Sequence, residues 1–230
     1  MRRRANHCCL ALVLFSTCVL AHAADPEFKA GGVTLTLPGP GSDFVESGDK
    51  LRTTFFELLA PSSNRLLSAY LPAQTLADFE AGKTAPKLDV YAMVEVPRKA
   101  EYADCTPDAF VQVVKGFEPA MGKLGSKDYG EMEQELNLRL KTLGTKPIAV
   151  DQPQMLGGIF QKTDAAGFAM LTAYKAGDRS VTMAGGFSLL RVRQRLLFAY
   201  LFAKYESPET VTWIRKNLES WSDAILAKNN

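Results

Sequence analysis

The chain has 230 residues with 27 basic and 25 acidic side chains, which gives a formal net charge of +2. This balance provides no excess of Lys and Arg to neutralise phosphates, so we predict no nucleic-acid partner. Both histidines and three of the four cysteines lie within the first 23 residues.

Residues 1–23 are predicted to form a cleaved signal peptide. Arg2–Arg4 carry positive charge, Cys8–Leu20 is an uncharged and largely apolar run, and Ala21–Ala23 offers small residues for cleavage. This run of about 13 residues is shorter than the roughly 20 that a membrane-spanning helix needs, so no stable membrane anchor is expected. We therefore predict an exported protein, in the periplasm rather than the extracellular space, whose residues 24–230 form a single α+β domain.

Cleavage removes both histidines and leaves Cys105 as the one remaining thiol. The three lost charges are all arginines, so 24 basic and 25 acidic residues remain and the formal charge becomes −1. Without imidazole or a second thiol, the chain cannot build a His-ligated metal site, a disulfide or most hydrolytic triads. We therefore predict no catalytic residue, no metal and no cofactor. A lipid anchor on Cys18 is an alternative, although Phe15 and Thr17 are bulkier than lipoprotein cleavage sites usually accept.

The first part of the mature chain is predicted to be rich in strands. Val33–Leu37 alternates apolar residues with threonines and ends at a Pro-Gly turn, and Leu88–Val96 is a further strand. Phe55–Ala60 and Arg65–Leu71 flank a Pro-Ser-Ser-Asn turn and predict a hairpin. A short helix over residues 76–80 is expected to follow it.

Two helices are predicted in the middle of the chain. Thr106 is an N-cap with proline at the next position, and Pro119 should kink or end this first helix. Asp128–Leu143 repeats apolar residues at helical spacing before Gly144 ends the second helix.

The last part of the chain predicts four strands and a closing helix that begins at Ser207. The strand connections are only a few residues long, which permits antiparallel hairpins and no parallel crossovers. The strands span residues 155–162, 167–175, 180–190 and 195–203. In the last strand both faces are apolar, so the sheet must be covered on both sides. We predict an α+β fold, a three-layer α/β/α sandwich around a mainly antiparallel sheet.

This order of elements resembles the PsbP/Mog1-like superfamily. The resemblance rests on a short strand ending at Pro38, a middle helical section, a meander, and an aromatic strand, Leu196–Phe202, that leads into a helix with Trp213 and Trp221. It would cover most of residues 30–228. The resemblance implies an accessory or binding module more often than an enzyme. The mature chain lacks histidine, so no metal-site residue of the photosystem branch carries over.

Two surfaces are candidate sites for a partner or ligand. Arg191, Arg193 and Arg195 form the one local concentration of positive charge. A solvated hairpin tip is the favoured interpretation, and a site for an anion or an acidic partner is the alternative. Trp213 lies about 110° off the apolar stripe of the last helix. This position favours packing at the sheet edge, and an exposed aromatic anchor for a partner is the alternative to be tested.

Three other patterns are interpreted as structural. Cys105 precedes a helix start, where the dipole can lower a thiol pKa, but acids flank it and no imidazole activates it. Ser47 and Lys50 match the Ser-x-x-Lys pattern of serine acyl-enzymes at a frequency that chance explains. A solvated helix face is expected for Glu131, Glu133 and Glu135.

The sequence favours an exported accessory or binding protein without catalytic activity, which binds an envelope protein or a small ligand. Two alternatives stay open. One is an enzyme that works without histidine, through carboxylates, a Ser/Lys pair or Cys105. The other is a stability factor for a membrane complex.

Overall fold

The structure is a computed structural model that describes residues 25–82, 88–123 and 125–230. The predicted signal peptide lies outside these residues, so its cleavage stays a prediction. Within the described ranges, no helix is long and apolar enough to cross a membrane.

The described residues contain a two-stranded hairpin and one large sheet. The hairpin consists of β1 (Glu27–Ala30) and β2 (Val33–Thr36). The strands of the large sheet are β3 (Phe44–Glu46), β4 (Asn64–Pro72), β5 (Val90–Pro97), β6 (Ala149–Val150), β7 (Gln154–Gln161), β8 (Ala165–Ala176), β9 (Arg179–Val192) and β10 (Arg195–Lys204). Their order is β3-β4-β5-β10-β9-β8-β6, with β7 also pairing β8, and every pairing is antiparallel.

Helices precede, interrupt and follow the strands. They are α1 (Gly48–Leu51), a π-helical turn (Arg52–Phe56), α2 (Glu57–Leu59), α3 (Ala73–Glu80), α4 (Pro107–Lys123), α5 (Ser126–Leu140) and α6 (Pro208–Asn229). A 3₁₀ turn extends α5 to Leu143, and Gly144 at φ 68° ends it as predicted.

One face of the sheet packs against α6. Ile214, Leu218 and Trp221 are fully buried there, and the Trp221 Nε1–H donates a 2.7 Å hydrogen bond to the Pro38 carbonyl. A Cβ at Gly186 of β9 would lie 2.5 Å from the Ile214 Cγ2. The missing side chain therefore lets the helix approach the sheet closely.

The opposite face carries two separate core clusters. The first lies under the π-helical turn, α2 and α3, where Phe56 is fully buried. In the second, Phe117 of α4 packs on Phe187 and Phe168, with ring centroids 4.5 and 5.0 Å away. Helices thus cover both faces of an antiparallel sheet, which confirms the predicted α+β class and its layers.

One local prediction was wrong. Phe55–Ala60 is helical, because the apolar residues Leu51, Phe55, Phe56 and Leu59 follow a helical spacing that places them against the sheet. Pro119 was predicted to kink or end the first middle helix. It lies inside α4, which continues to Lys123, so the helix does not end there, and a kink at this residue stays a prediction.

Candidate functional site

The predicted arginine cluster lies at the tip of the β9–β10 hairpin. Arg193 and Gln194 have positive φ values of 46° and 64°, which is the conformation of a tight two-residue hairpin turn. Arg191 binds Asp164 through Nε at 2.7 Å and Nη2 at 2.6 Å. Its charge is therefore already balanced within the chain.

The other two arginines also bind neighbouring segments. The Arg195 Nη1 donates to Asp104 at 2.6 Å and to the Ala103 carbonyl at 3.0 Å, and Arg193 donates to the Thr34 carbonyl at 3.0 Å. The tip thus ties β2 and the loop after β5 to the end of the sheet. Arg191 pairs in register with Leu196 of the second aromatic-face cluster, whereas Arg195 pairs with Val192 of the core on the α6 side. The two side chains therefore lie on opposite faces of the sheet, so the structure does not bring the three arginines together, and an anion site there stays a prediction.

Trp213 lies near the start of α6 and keeps 37% of its surface exposed. It lies beside Val90 and Ala203, at the ends of β5 and β10, and both of these residues belong to the core on the α6 side of the sheet. Trp213 is thus partly packed and partly exposed, and a partner for it stays a prediction.

The thiol of Cys105 is not activated. Its side chain is buried, and burial raises its pKa. The neighbouring Thr106 hydroxyl caps α4 by accepting a 3.2 Å hydrogen bond from the Ala109 amide, as an N-cap should. A structural role at the helix start accounts for this segment.

The Ser/Lys pair and the three glutamates do not form catalytic groupings. The Ser47 hydroxyl is buried and has no hydrogen-bond partner among the described residues, so no amine takes its proton. Glu131 pairs with a lysine on a solvated face, but Glu133 and Glu135 accept backbone N–H bonds from other segments. The face is thus solvated at Glu131, while Glu133 and Glu135 are only partly exposed and also anchor neighbouring segments. Nowhere in the described ranges do three or more metal-ligating side chains converge.

A buried carboxyl group that the sequence reasoning missed lies on β5. Glu95 is fully buried, and its Oε2 accepts a 2.7 Å hydrogen bond from the Asn64 amide of β4. The other oxygen, Oε1, has no partner among the described residues, and neither has the Nε of nearby Arg139. Burial raises the pKa of Glu95 to about 7, although the Asn64 bond and the Arg139 charge oppose this rise.

Next to Glu95, aromatic side chains form a surface that the helices leave partly uncovered. We call Tyr91, Tyr174, Phe198 and Tyr200 the aromatic floor. All four are only partly buried, although Phe198 and Tyr200 lie on the central strand β10. Tyr200 borders both core clusters of this face. The floor therefore lies at the boundary between these two clusters.

Two tyrosines of the floor, Tyr91 and Tyr200, interact electrostatically with Glu95. Burial raises the pKa of Tyr91 and of Tyr200 well above the usual range, and the nearby Glu95 carboxylate raises both further. Tyr174 also acts electrostatically on Tyr91.

The three tyrosine hydroxyls of the floor form no hydrogen bond with any described residue. They stand free to bind a ligand beside one buried carboxyl group. The sequence does contain a signal for this site, because Glu95 is the lone charged residue in the otherwise apolar strand β5. A charge at such a position is rare unless it is paired or functional.

Comparisons with known proteins assign no family and no function to the chain. No protein family model matches the chain, and no curated protein matches it. A point mutant of the protein Mog1 is similar in structure, with 16% sequence identity over 88% of this chain and 92% of that chain, at a TM-score of 0.32. This score is too low to establish the PsbP/Mog1-like resemblance as membership.

Proposed function

We propose that the protein is an exported, non-enzymatic binding domain that takes a small, largely apolar ligand on the aromatic floor. One observation carries this proposal: Tyr200 on the central strand β10 remains partly exposed, and its free hydroxyl lies near the buried Glu95. Pockets for small ligands typically combine apolar and aromatic walls with a few convergent polar groups. The aromatic floor has this composition.

Binding is favoured over catalysis by the state of the possible nucleophiles. The pKa of the Cys105 thiol is raised by burial, whereas a catalytic thiol needs a lowered value. The Ser47 hydroxyl has no base to accept its proton among the described residues. These two groups were two of the three candidates for an enzyme without histidine, and an enzyme that works through carboxylates stays the alternative.

Export rests on the predicted signal peptide, and a single remaining thiol favours the bacterial periplasm. A distant place in the PsbP/Mog1-like superfamily is part of the proposal. The order of strands and helices supports it, with the aromatic strand β10 leading directly into the Trp-bearing helix α6.

The test uses the full chain and the neutral aromatic dye N-phenyl-1-naphthylamine, followed by its fluorescence. We expect saturable binding of one dye molecule per chain. Tyr200→Ala should weaken this binding at least about tenfold, because it removes the centre of the floor. Native mass spectrometry of protein from its own host should also reveal a retained small molecule.

Tyr102→Ala is the matched control. Tyr102 is 78% exposed in the loop after β5 and belongs to no core cluster of the described residues, so its loss should leave dye binding unchanged. Far-UV circular dichroism verifies that both variants are folded. Equal dye affinity in the two variants would refute the proposed site.

A further inference from the structure

A second concave surface lies at the start of α6. A groove of about 320 Å³ is lined by Val90 and Ala203 at its base and by Glu206, Glu209 and Trp213 at its walls. We call it the Trp213 groove. Ala203 belongs to the core cluster on the α6 side of the sheet, so the groove and the aromatic floor lie on opposite faces. The two sites are therefore independent.

Trp213 is only partly covered by the chain. The other tryptophan, Trp221, is fully buried and hydrogen-bonded, whereas Trp213 lies beside Val90 and Ala203 in the groove and keeps 37% of its surface exposed. Across the described part of the chain, neither a cation nor another ring lies against its indole. Exposed tryptophans of this kind are enriched at the centres of binding interfaces.

The groove also carries unbalanced negative charge. Glu206 and Glu209 are exposed, and neither forms an ion pair with a described residue. A hydrogen bond from the Ser207 side chain lowers the pKa of Glu209, so this carboxylate stays ionised. The positive end of the α6 dipole offsets about half a charge, which leaves the groove negative.

We propose that the Trp213 groove binds an arginine side chain of a partner protein, with the guanidinium stacked on the Trp213 indole and facing Glu206 and Glu209. Charge complementarity selects a cation, and the indole face selects one that is planar and weakly hydrated. The volume lies at the lower end of the range for ligand pockets, which suits one long side chain rather than a larger molecule.

The test is a titration of the full ¹⁵N-labelled chain with acetyl-arginine-amide, followed by NMR. The two indole N–H signals provide an internal comparison. The Trp213 signal should shift and saturate, while the Trp221 signal, fixed by its bond to the Pro38 carbonyl, should stay in place. Acetyl-citrulline-amide has the same shape without the charge and should bind at least about fivefold more weakly.

A double variant, Glu206→Gln with Glu209→Gln, should weaken acetyl-arginine-amide binding about fivefold or more. An unchanged Trp221 signal confirms that the variant is folded. The proposal is wrong if citrulline binds as tightly as arginine, or if the double variant binds like the wild type. If acetyl-lysine-amide binds as tightly as acetyl-arginine-amide, charge attraction alone explains the binding without stacking on Trp213. This result would also overturn the proposal.

Discussion

The buried carboxyl group of Glu95 should make the stability of the protein fall as pH rises. Its pKa is about 7 in the folded chain, against 4.5 for an unperturbed carboxyl group. Between these values the unfolded chain has lost the proton and the folded chain still holds it, so unfolding becomes easier with each step in pH. This difference between the two pKa values corresponds to a loss of about 3 kcal/mol in the free energy of unfolding. The loss is complete above pH 7 and absent below pH 4.5.

Glu95→Gln isolates this effect, because glutamine has the same shape and stays neutral. Urea unfolding followed by circular dichroism should give similar free energies for both proteins at pH 4.5. At pH 8 the variant should be more stable by about 3 kcal/mol, provided that its side-chain oxygen still accepts the Asn64 bond. A difference that stays constant from pH 4.5 to pH 8 would refute the reasoning.

Three further predictions concern packing and reactivity. Gly31→Ala should destabilise the fold by about 3 kcal/mol more than Gly32→Ala in urea unfolding. Both glycines have positive φ. A Cβ at Gly31 would lie 2.0 Å from the Glu101 carbonyl oxygen, whereas a Cβ at Gly32 would have no atom of a described residue within 4 Å. Trp221→Phe should lower the free energy of unfolding by about 2 kcal/mol, because a buried indole hydrogen bond is lost. Cys105 should react with a disulfide reagent at least roughly tenfold more slowly in the folded chain than in urea, because burial raises its pKa.

The layered fold could be predicted from the sequence because β8 and β10 are apolar on both faces. This pattern lies within each strand, so it can be recognised without knowing which strands or helices pack beside it. The error at Phe55–Ala60 arose because a six-residue apolar run fits either a strand or a helix. Only the wider window that begins at Leu51 reveals the helical spacing.

The candidate site was harder to predict, because its parts come from distant segments. Glu95 stands out within its own strand, but Asn64, Arg139 and Tyr200 reach it through strand register and through the docking of α5. The hairpin tip beside Arg193 was a local feature and could be foreseen. The Asp164 and Asp104 partners of the neighbouring arginines could not, since they belong to other loops.

The two faces of the sheet present different side chains to their covering helices. Toward α6, the central strands present small residues, including Ala184, Gly186, Ala199 and Ala203, so one long helix packs closely along them. Toward the other face they present large rings such as Tyr200, and the first cluster there is covered by short helical segments. Several of these rings remain partly exposed under the separate segments. The ligand site that we propose on the aromatic face therefore depends on this difference between the side chains of the two faces.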